Sequence, residues 1–220
     1  MFQEDAARIV VADDHPLFRD ALRQVIDVAV GPARVVEAET FGDAVAAVAA
    51  EDPDLVLLDL NMPGMDGFAG LMALRDKAPT TPIVVVSADE DPAVIQQALT
   101  LGASGFIPKS MSKDRMTQGV AAVMAGEVFV PVDLTTRLTP AAQDDPDFAA
   151  GYAALTAQQR KVLEMLVAGK SNKVIAFELD VAESTVKAHV SAILRKLKVT
   201  SRTQAVLYAS KMPGVKRAAA

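Results

Sequence analysis

Acidic, hydroxyl and basic side chains each follow an apolar run in the first half of the chain. Asp13 and Asp14 follow RIVVA, and Asp59 follows LVLL. Carboxylates that converge repel one another and need a cation, and oxygen ligands with open positions favour Mg²⁺, which also binds phosphate oxygens. Ser87 and Lys109 end two further runs, and their hydroxyl and ammonium groups could bind the other oxygens of a phosphoryl group. The set predicts a pocket that holds a phosphoryl group on a carboxylate.

Alternating strands and helices must position these residues. Short apolar runs without polar alternation are typical of strands buried on both faces of a parallel sheet. Strands are predicted at 8–12, 34–39, 54–59, 82–88 and 105–109. Helices are predicted at 16–29, 42–51, 66–77, 92–101 and 112–125, the first with an apolar face of Leu17, Leu22, Val25 and Ile26. Five such units predict an α/β doubly wound five-stranded parallel sheet, with its chemistry at the carboxyl ends of the strands.

Four segments of this region resemble the receiver domain of response regulators, which has a flavodoxin-like fold. They read VADDHPLFRDAL, LVLLDLNMPGMDG, VVVSA and GASGFIPK, in the family's order and spacing over about the first 125 residues. The resemblance implies that Asp59 is the phosphoacceptor for a partner histidine kinase. It also implies a Mg²⁺ site made by Asp14, Asp59 and the backbone carbonyl of Asn61, with Asp13 assisting. His15 is interpreted as a loop residue before the first helix.

The same resemblance implies a switch that responds to the phosphoryl group. Ser87 would bond a phosphoryl oxygen and Lys109 would pair with its charge. Phe106 would turn inward when Ser87 moves. The added charge is expected to shift the face made by the fourth strand, the next helix and the fifth strand, as a change between two populated states. The active form is expected to be a homodimer.

The net charge of −6 divides unevenly along the chain. Residues 1–125 carry 9 Lys+Arg and 19 Asp+Glu, whereas residues 151–220 carry 12 and 4. This asymmetry indicates a nucleic-acid partner for the second half only. The chain has no cysteine, which excludes disulfides, thiolate metal sites and thiol catalysis. It has no apolar stretch of the ~18 residues that span a membrane, so a soluble, cytoplasmic protein with no membrane partner is expected.

The periodic patterns stop between residues 126 and 151. Pro131, Pro140 and Pro146 interrupt this segment, which predicts a linker that could contain a short helix. The predicted organisation is therefore a receiver domain at 1–125, a linker at 126–151, a DNA-binding domain at 152–212 and a tail at 213–220.

Four helices are predicted after residue 152, in an all-α helix-turn-helix domain. Thr156 and Gln159 fit a capping box at the start of the first helix, and Gly169 ends it. The second helix follows Ser171, the third covers 183–197 and the fourth follows Ser201. A helix, a short turn and a helix with basic residues is the helix-turn-helix pattern. One face of the third helix carries small and basic residues, namely Ser184, Lys187, Ala188, Ser191 and Arg195. Such a face suits the major groove of DNA. The alternative is an ordinary solvent-exposed face.

The segment SNKVIAFELDVAESTVKAHVSAILRKLKVTSRTQAV resembles the DNA-binding domain of LuxR/NarL-type regulators over its whole length. The resemblance implies that Lys187, Ala188 and Ser191 face base edges of promoter DNA. It makes six residues candidates for phosphate contacts or for positioning the recognition helix: Asn172, Lys173, Thr185, His189, Lys196 and Arg202. The last helix, with Val206, is a candidate dimer contact or ordinary core.

Two positions depart from the family's pattern in this domain. Gln158 and Gln159 stand where the family often carries an Arg–Glu pair, which puts an ion pair in doubt. Ala182 stands where the family usually has Ser or Thr as the N-cap of the recognition helix. A lost cap costs about 0.5–2 kcal/mol, so this helix is expected to fray until DNA orders it.

The sequence favours a phosphorylation-controlled transcription regulator that is not a turnover enzyme, and three other functions fit it less well. A receiver whose output is independent of phosphate disagrees with the intact predicted pocket. A phosphatase of the haloacid dehalogenase type would need a second Asp two residues after Asp59, where Asn61 stands. A pure interaction protein leaves the basic helical domain unexplained.

Overall fold

A five-stranded parallel sheet forms the centre of the first half of the chain. The computed structural model describes residues 6–130 and 146–209. The strand order is β2-β1-β3-β4-β5, with every neighbouring pair parallel. The strands are β1 (Ala7–Ala12), β2 (Ala33–Ala38), β3 (Leu55–Asp59), β4 (Ile83–Ser87) and β5 (Gly105–Pro108). The predicted doubly wound α/β fold is confirmed.

Five helices cover the two faces of this sheet. They are α1 (Pro16–Ala29), α2 (Phe41–Glu51), α3 (Gly67–Lys77), α4 (Pro92–Thr100) and α5 (Lys113–Met124). The strands β3, β4 and β5 are buried throughout, as their continuous apolar sequence requires. One apolar core contains residues of α1 and α5, and the other contains residues of α2, α3 and α4. The chain order reverses beside β1, so the carboxyl ends of β1 and β3 flank the crevice where such sheets bind ligands.

The expected apolar face of α1 was wrong at one residue. Leu22, Val25 and Ile26 are buried, but Leu17 is 84% exposed. Phe18 packs against that core instead, because positions 18, 22, 25 and 26 follow the helical spacing of i, i+4, i+7 and i+8. Leu17 lies one residue off this stripe and projects to the outside of the receiver.

The described part of the helical domain begins at residue 146. Its helices are α6 (Pro146–Ala153), α7 (Ala157–Val167), α8 (Asn172–Leu179), α9 (Glu183–Leu197) and α10 (Arg202–Ala209). The four predicted helices correspond to α7–α10, and α6 precedes them. Phe148 of α6 is buried in the same core, with its ring 5.4 Å from that of Tyr208. The core of this domain therefore includes residues before the predicted boundary at 152.

The first turn of α7 is closed as its sequence predicts. The Thr156 hydroxyl accepts from the Gln159 N–H, and the Gln159 side chain accepts from the Thr156 N–H. Gln159 Oε1 also accepts from Lys196 Nζ at 2.8 Å. A hydrogen bond from Lys196 to a neutral acceptor thus joins α7 to α9, at a position where the resemblance puts an ion pair in doubt.

Helix α9, the predicted recognition helix, begins without a side-chain cap. Ala182 has the extended N-cap conformation, with φ −66° and ψ 147°, and makes no capping bond. We expect Ala182→Ser to raise the free energy of unfolding of the helical domain by about 0.5–2 kcal/mol, because the new hydroxyl satisfies a free N–H of the first turn. Chemical denaturation monitored by circular dichroism measures this change. Ala157→Ser is the matched control, because it adds the same hydroxyl one residue after Thr156, which already caps α7. Equal free energies of unfolding for both variants and the wild type would contradict the prediction.

Candidate phosphoacceptor pocket and DNA-binding face

Three carboxylates and a histidine converge at the carboxyl edge of the sheet. One ligand atom from each of Asp13, Asp14, His15 and Asp59 lies within 4.8 Å of the others. Asp13 and Asp59 are buried, because β1 and β3 are central neighbours that end side by side. Oxygen donors of this charge and spacing fit a divalent cation such as Mg²⁺, which would offset their mutual repulsion.

Lys109 joins two of these carboxylates. Its Nζ lies 2.7 Å from Asp13 Oδ2 and 2.8 Å from Asp59 Oδ2, and 5.0 Å above the centre of the Phe18 ring. Burial by itself lowers the pKa of Lys109, but hydrogen bonds and attraction from Asp13 and Asp59 outweigh it and raise that pKa above its usual value. The ammonium is therefore charged at neutral pH and touches the oxygen that the sequence predicts to be modified.

The other predicted receiver residues surround Asp59. Ser87 is buried at the end of β4, where its Oγ accepts from the Asp89 N–H at 3.1 Å. The Asn61 N–H donates to Asp59 Oδ1 at 3.0 Å, which orients the carboxylate from the loop after β3. Phe106 is completely buried in β5. Its side chain thus already occupies an inward position of the kind that the resemblance assigns to the switched state.

His15 contributes more to the pocket than its sequence context indicated. Its Nδ1 lies 2.7 Å from Asp14 Oδ1 and 3.2 Å from Asp13 Oδ1. The backbone N–H of His15 also donates to Asp13 Oδ1 at 2.8 Å. A histidine directly after two aspartates is a weak signal alone, but the turn after β1 folds this ring back onto both carboxylates.

Arg19 holds the loop after β1 through the Asp13 carbonyl, and the sequence analysis did not predict this role. Its buried guanidinium donates to the Asp13 carbonyl at 2.8 Å, to Glu37 at 2.8 Å and to Glu39 at 2.6 Å. The Glu37 hydrogen bond raises the pKa of Arg19, although burial opposes it. Hydrogen bonds from Arg23 and Arg19 lower the pKa of Glu37. Two acids spaced by two, Glu37 in β2 and Glu39 just after it, were the available signal, since residues two apart in an extended chain point to the same side.

The predicted base-contacting face of α9 is divided in this structure. Lys187 Nζ lies 2.7 Å from Asp52 Oδ2 of the receiver. Ser191 and Arg195 line a cleft together with Asp76 of α3. Ala188, by contrast, is exposed to solvent. Part of the predicted DNA face therefore lies against the receiver.

The six residues assigned to phosphate contacts or helix positioning lie in different surroundings. Lys196 donates to the Ala154 carbonyl at 3.0 Å as well as to Gln159, so it positions α9. Arg202 donates to the Lys170 carbonyl at 2.6 Å and lies 3.5 Å from Asn172 Oδ1. The other three are exposed or half-buried, namely Lys173, Thr185 and His189.

Contacts between the domains were invisible to sequence reasoning. Thr203 Oγ1 lies 3.4 Å from Ser104 Oγ, and Gln204 Nε2 donates to the Thr100 carbonyl at 2.7 Å. Ser104 immediately precedes β5, and Thr100 ends α4. The start of α10 thus rests on the receiver face that is expected to move on phosphorylation.

Two family models match the two domains. The response regulator receiver domain model matches residues 9–121, and the model of bacterial regulatory proteins of the luxR family matches residues 153–209. The chain belongs to the LuxR family of DNA-binding response regulators. Membership in this family makes it a regulator rather than a classical turnover enzyme.

Similar proteins share both domains of this response regulator. The glycerol metabolism activator of Pseudomonas putida is 47% identical over 208 residues, which are 92% of this chain and 94% of that protein. The nitrate/nitrite response regulator NarL of Escherichia coli K12 is 35% identical, over 94% of this chain and 97% of NarL. RcsB of Salmonella enterica serovar Typhimurium, bound to a promoter with a phosphomimetic, matches with a TM-score of 0.55 at 23% identity, over 94% of this chain and 99% of RcsB. The last likeness shows the fold.

The helices of the response regulator give no sign of a membrane span. Within residues 6–130 and 146–209, none is both long enough and apolar enough to cross a bilayer.

Proposed function

We propose that a histidine kinase phosphorylates this response regulator on Asp59 and that the modification controls promoter binding. The observation that supports this most strongly is the ammonium of Lys109 bridging Asp59 and Asp13. Such a bridge holds positive charge where a phosphoryl group would attach, and a buried Ser87 hydroxyl ends the neighbouring strand. Preorganised charge of this kind stabilises phosphoryl transfer.

The residues have separate roles in this reaction. An Asp59 oxygen attacks phosphorus, the bond to the donor's imidazole breaks, and the imidazole leaves with the electron pair. Lys109 then pairs with a phosphoryl oxygen, and Ser87 donates its hydroxyl to another. Mg²⁺, when bound by Asp13, Asp14, Asp59 and the Asn61 carbonyl, would supply charge neutralisation and orient phosphoryl oxygens. Asn61 and Arg19 keep the carboxylates in place through the contacts described above.

The output would follow from release of the DNA-binding domain. Movement of Ser87 and of the β4–α4–β5 face would disturb the contacts at Thr100 and Ser104 that hold α10. Lys187 would then leave Asp52 and reach base edges together with Ala188 and Ser191, with Arg195 nearby. Dimeric RcsB has been seen bound to DNA, which supports a homodimer as the active form of this cytoplasmic regulator.

Retention of promoter DNA before and after phosphorylation tests this function. Full-length protein, with and without Mg²⁺ and a small acyl phosphate, is incubated with sheared bacterial genomic DNA, and the retained fragments are sequenced. We expect phosphorylation to enrich specific promoter fragments and Lys187→Ala to reduce that enrichment about tenfold, because one base contact contributes about 1–3 kcal/mol. Lys161→Ala, an exposed lysine of α7, is the control. Equal enrichment with and without acyl phosphate would favour the phosphate-independent alternative.

A further inference from the structure

A cleft lies between the receiver and the DNA-binding domain. It has a volume of about 190 Å³, which is room for a group larger than a single water. The receiver contributes Arg8, Asp54 and Glu127, whereas the helical domain contributes Asn172, Lys173, Glu183, Lys187 and Arg202. The charged residues that line the cleft are therefore four basic and three acidic, and Asn172, Lys173 and Arg202 come from the starts of α8 and α10.

Within residues 6–130 and 146–209, Arg202 has no acidic partner in this cleft. Its described contacts are the Lys170 carbonyl and the Asn172 amide oxygen, and its Nε is buried without a hydrogen-bond partner among the described residues. Burial lowers the pKa of Arg202 to about 10, so the guanidinium is still charged at neutral pH. Lys187, which lines the same cleft, pairs with Asp52 and Glu183 instead.

A buried guanidinium with a free donor is costly unless an anion pairs with it. Guanidinium groups match phosphate oxygens in geometry and bind them through charge-assisted hydrogen bonds. We propose that the cleft binds a small oxyanion of the phosphate class, held by Arg202 together with Asn172 and Lys173. The bound anion then joins the two domains in the arrangement described above.

Competition with DNA follows from the same residues. Arg202, Asn172 and Lys173 are candidates for DNA phosphate contacts, so a free phosphate in the cleft occupies groups that the DNA backbone would need. This consequence rests on the proposed DNA contacts, whereas anion binding itself does not. Phosphate is therefore expected to weaken promoter binding by more than its ionic strength accounts for.

Titration with inorganic phosphate tests the site. Full-length Asp59→Asn protein in EDTA is used, so that the receiver pocket neither accepts phosphate nor holds a metal ion, and chloride keeps the ionic strength constant. Isothermal calorimetry is expected to show saturable binding of one phosphate per chain, weakened about tenfold or more by Arg202→Gln, as the loss of a charge-assisted pair predicts. The control is Arg160→Gln, because Arg160 is exposed and also donates to a backbone carbonyl, at Ala153.

Several results would overturn the proposal. Non-saturable binding, or equal affinities of Arg202→Gln and Arg160→Gln, would show that phosphate meets the surface adventitiously. If circular dichroism shows that Arg202→Gln is unfolded, Lys173→Gln, which changes an exposed side chain of the cleft, takes its place with the same expected weakening. Saturable phosphate binding that leaves promoter affinity unchanged at fixed ionic strength would overturn the competition with DNA.

Discussion

Full-length Asp59→Asn protein is expected to gain no phosphoryl group from Mg²⁺ and a small acyl phosphate, whereas the wild type gains one. Asparagine keeps the shape of the side chain but lacks the nucleophilic carboxylate. Asp59 is buried and in contact with Lys109 Nζ, so its oxygen lies where developing charge is stabilised. Intact mass spectrometry at neutral pH measures the modification directly.

Further variants distinguish the loss of the Asp59 carboxylate from the loss of any nearby acidic side chain. Asp89→Asn changes an exposed carboxylate two residues after Ser87 and is expected to leave uptake unchanged. Lys109→Met is expected to slow uptake about a hundredfold, the usual effect of removing one preorganised donor. Chelation of Mg²⁺ is expected to abolish uptake in the wild type. Phosphorylation of Asp59→Asn at the wild-type rate would refute the assignment of Asp59.

Gly126→Ala is expected to open the domain interface and to raise the DNA affinity of the unphosphorylated protein about tenfold or more, since exposing the covered face removes a closed state that competes with DNA. Gly126 has φ +95°, and a methyl group there would meet the Gly169 carbonyl oxygen at 2.5 Å and Arg202 Nη2 at 2.6 Å. The backbone at Gly169 and the side chain of Arg202 both belong to the helical domain. Small-angle X-ray scattering measures the separation, and fluorescence anisotropy with a promoter fragment measures the affinity.

Gly31→Ala is the control for the backbone strain of such a change. Gly31 has φ +83°, close to that of Gly126, but a methyl group there would have nothing within 4 Å. Both variants lose similar stability from a left-handed alanine, so only the difference between them reports on the interface. If both bind the promoter with the wild-type affinity, contact between the domains does not limit DNA binding.

Local patterns were sufficient for much of the receiver. Uninterrupted apolar runs located β3 and β4, because strands buried on both faces have no polar alternation. The residues that end those strands were predicted to meet, since parallel strands place their carboxyl ends at one edge. The same reasoning applies to β5, since Lys109 directly follows it and lies 2.8 Å from Asp59 at the end of β3. Leu17 was misplaced because an extra apolar residue beside the true helical stripe resembles part of it.

The helical domain shows where such patterns stop being sufficient. The cap at Thr156 and Gln159 was predictable because both partners lie within one turn. The buried position of Phe148 was not predictable, because the sequence of a short helix inside a linker-like segment does not indicate which residues it packs against. Arg19 was missed for the same reason, because its three acceptors are Asp13 in the loop after β1, Glu37 in β2 and Glu39 just after β2.

The sequence alone determined the two-domain class, the helix and strand order, and the acidic pocket of the receiver, because each depends on periodicity or on neighbours close along the chain. The tertiary structure decided which surfaces meet between the domains. Lys187 lies 135 residues from Asp52, its ion-pair partner, and Gly126 approaches Arg202 across the interface. Such contacts depend on how two separately folded cores pack, and no local pattern encodes that packing.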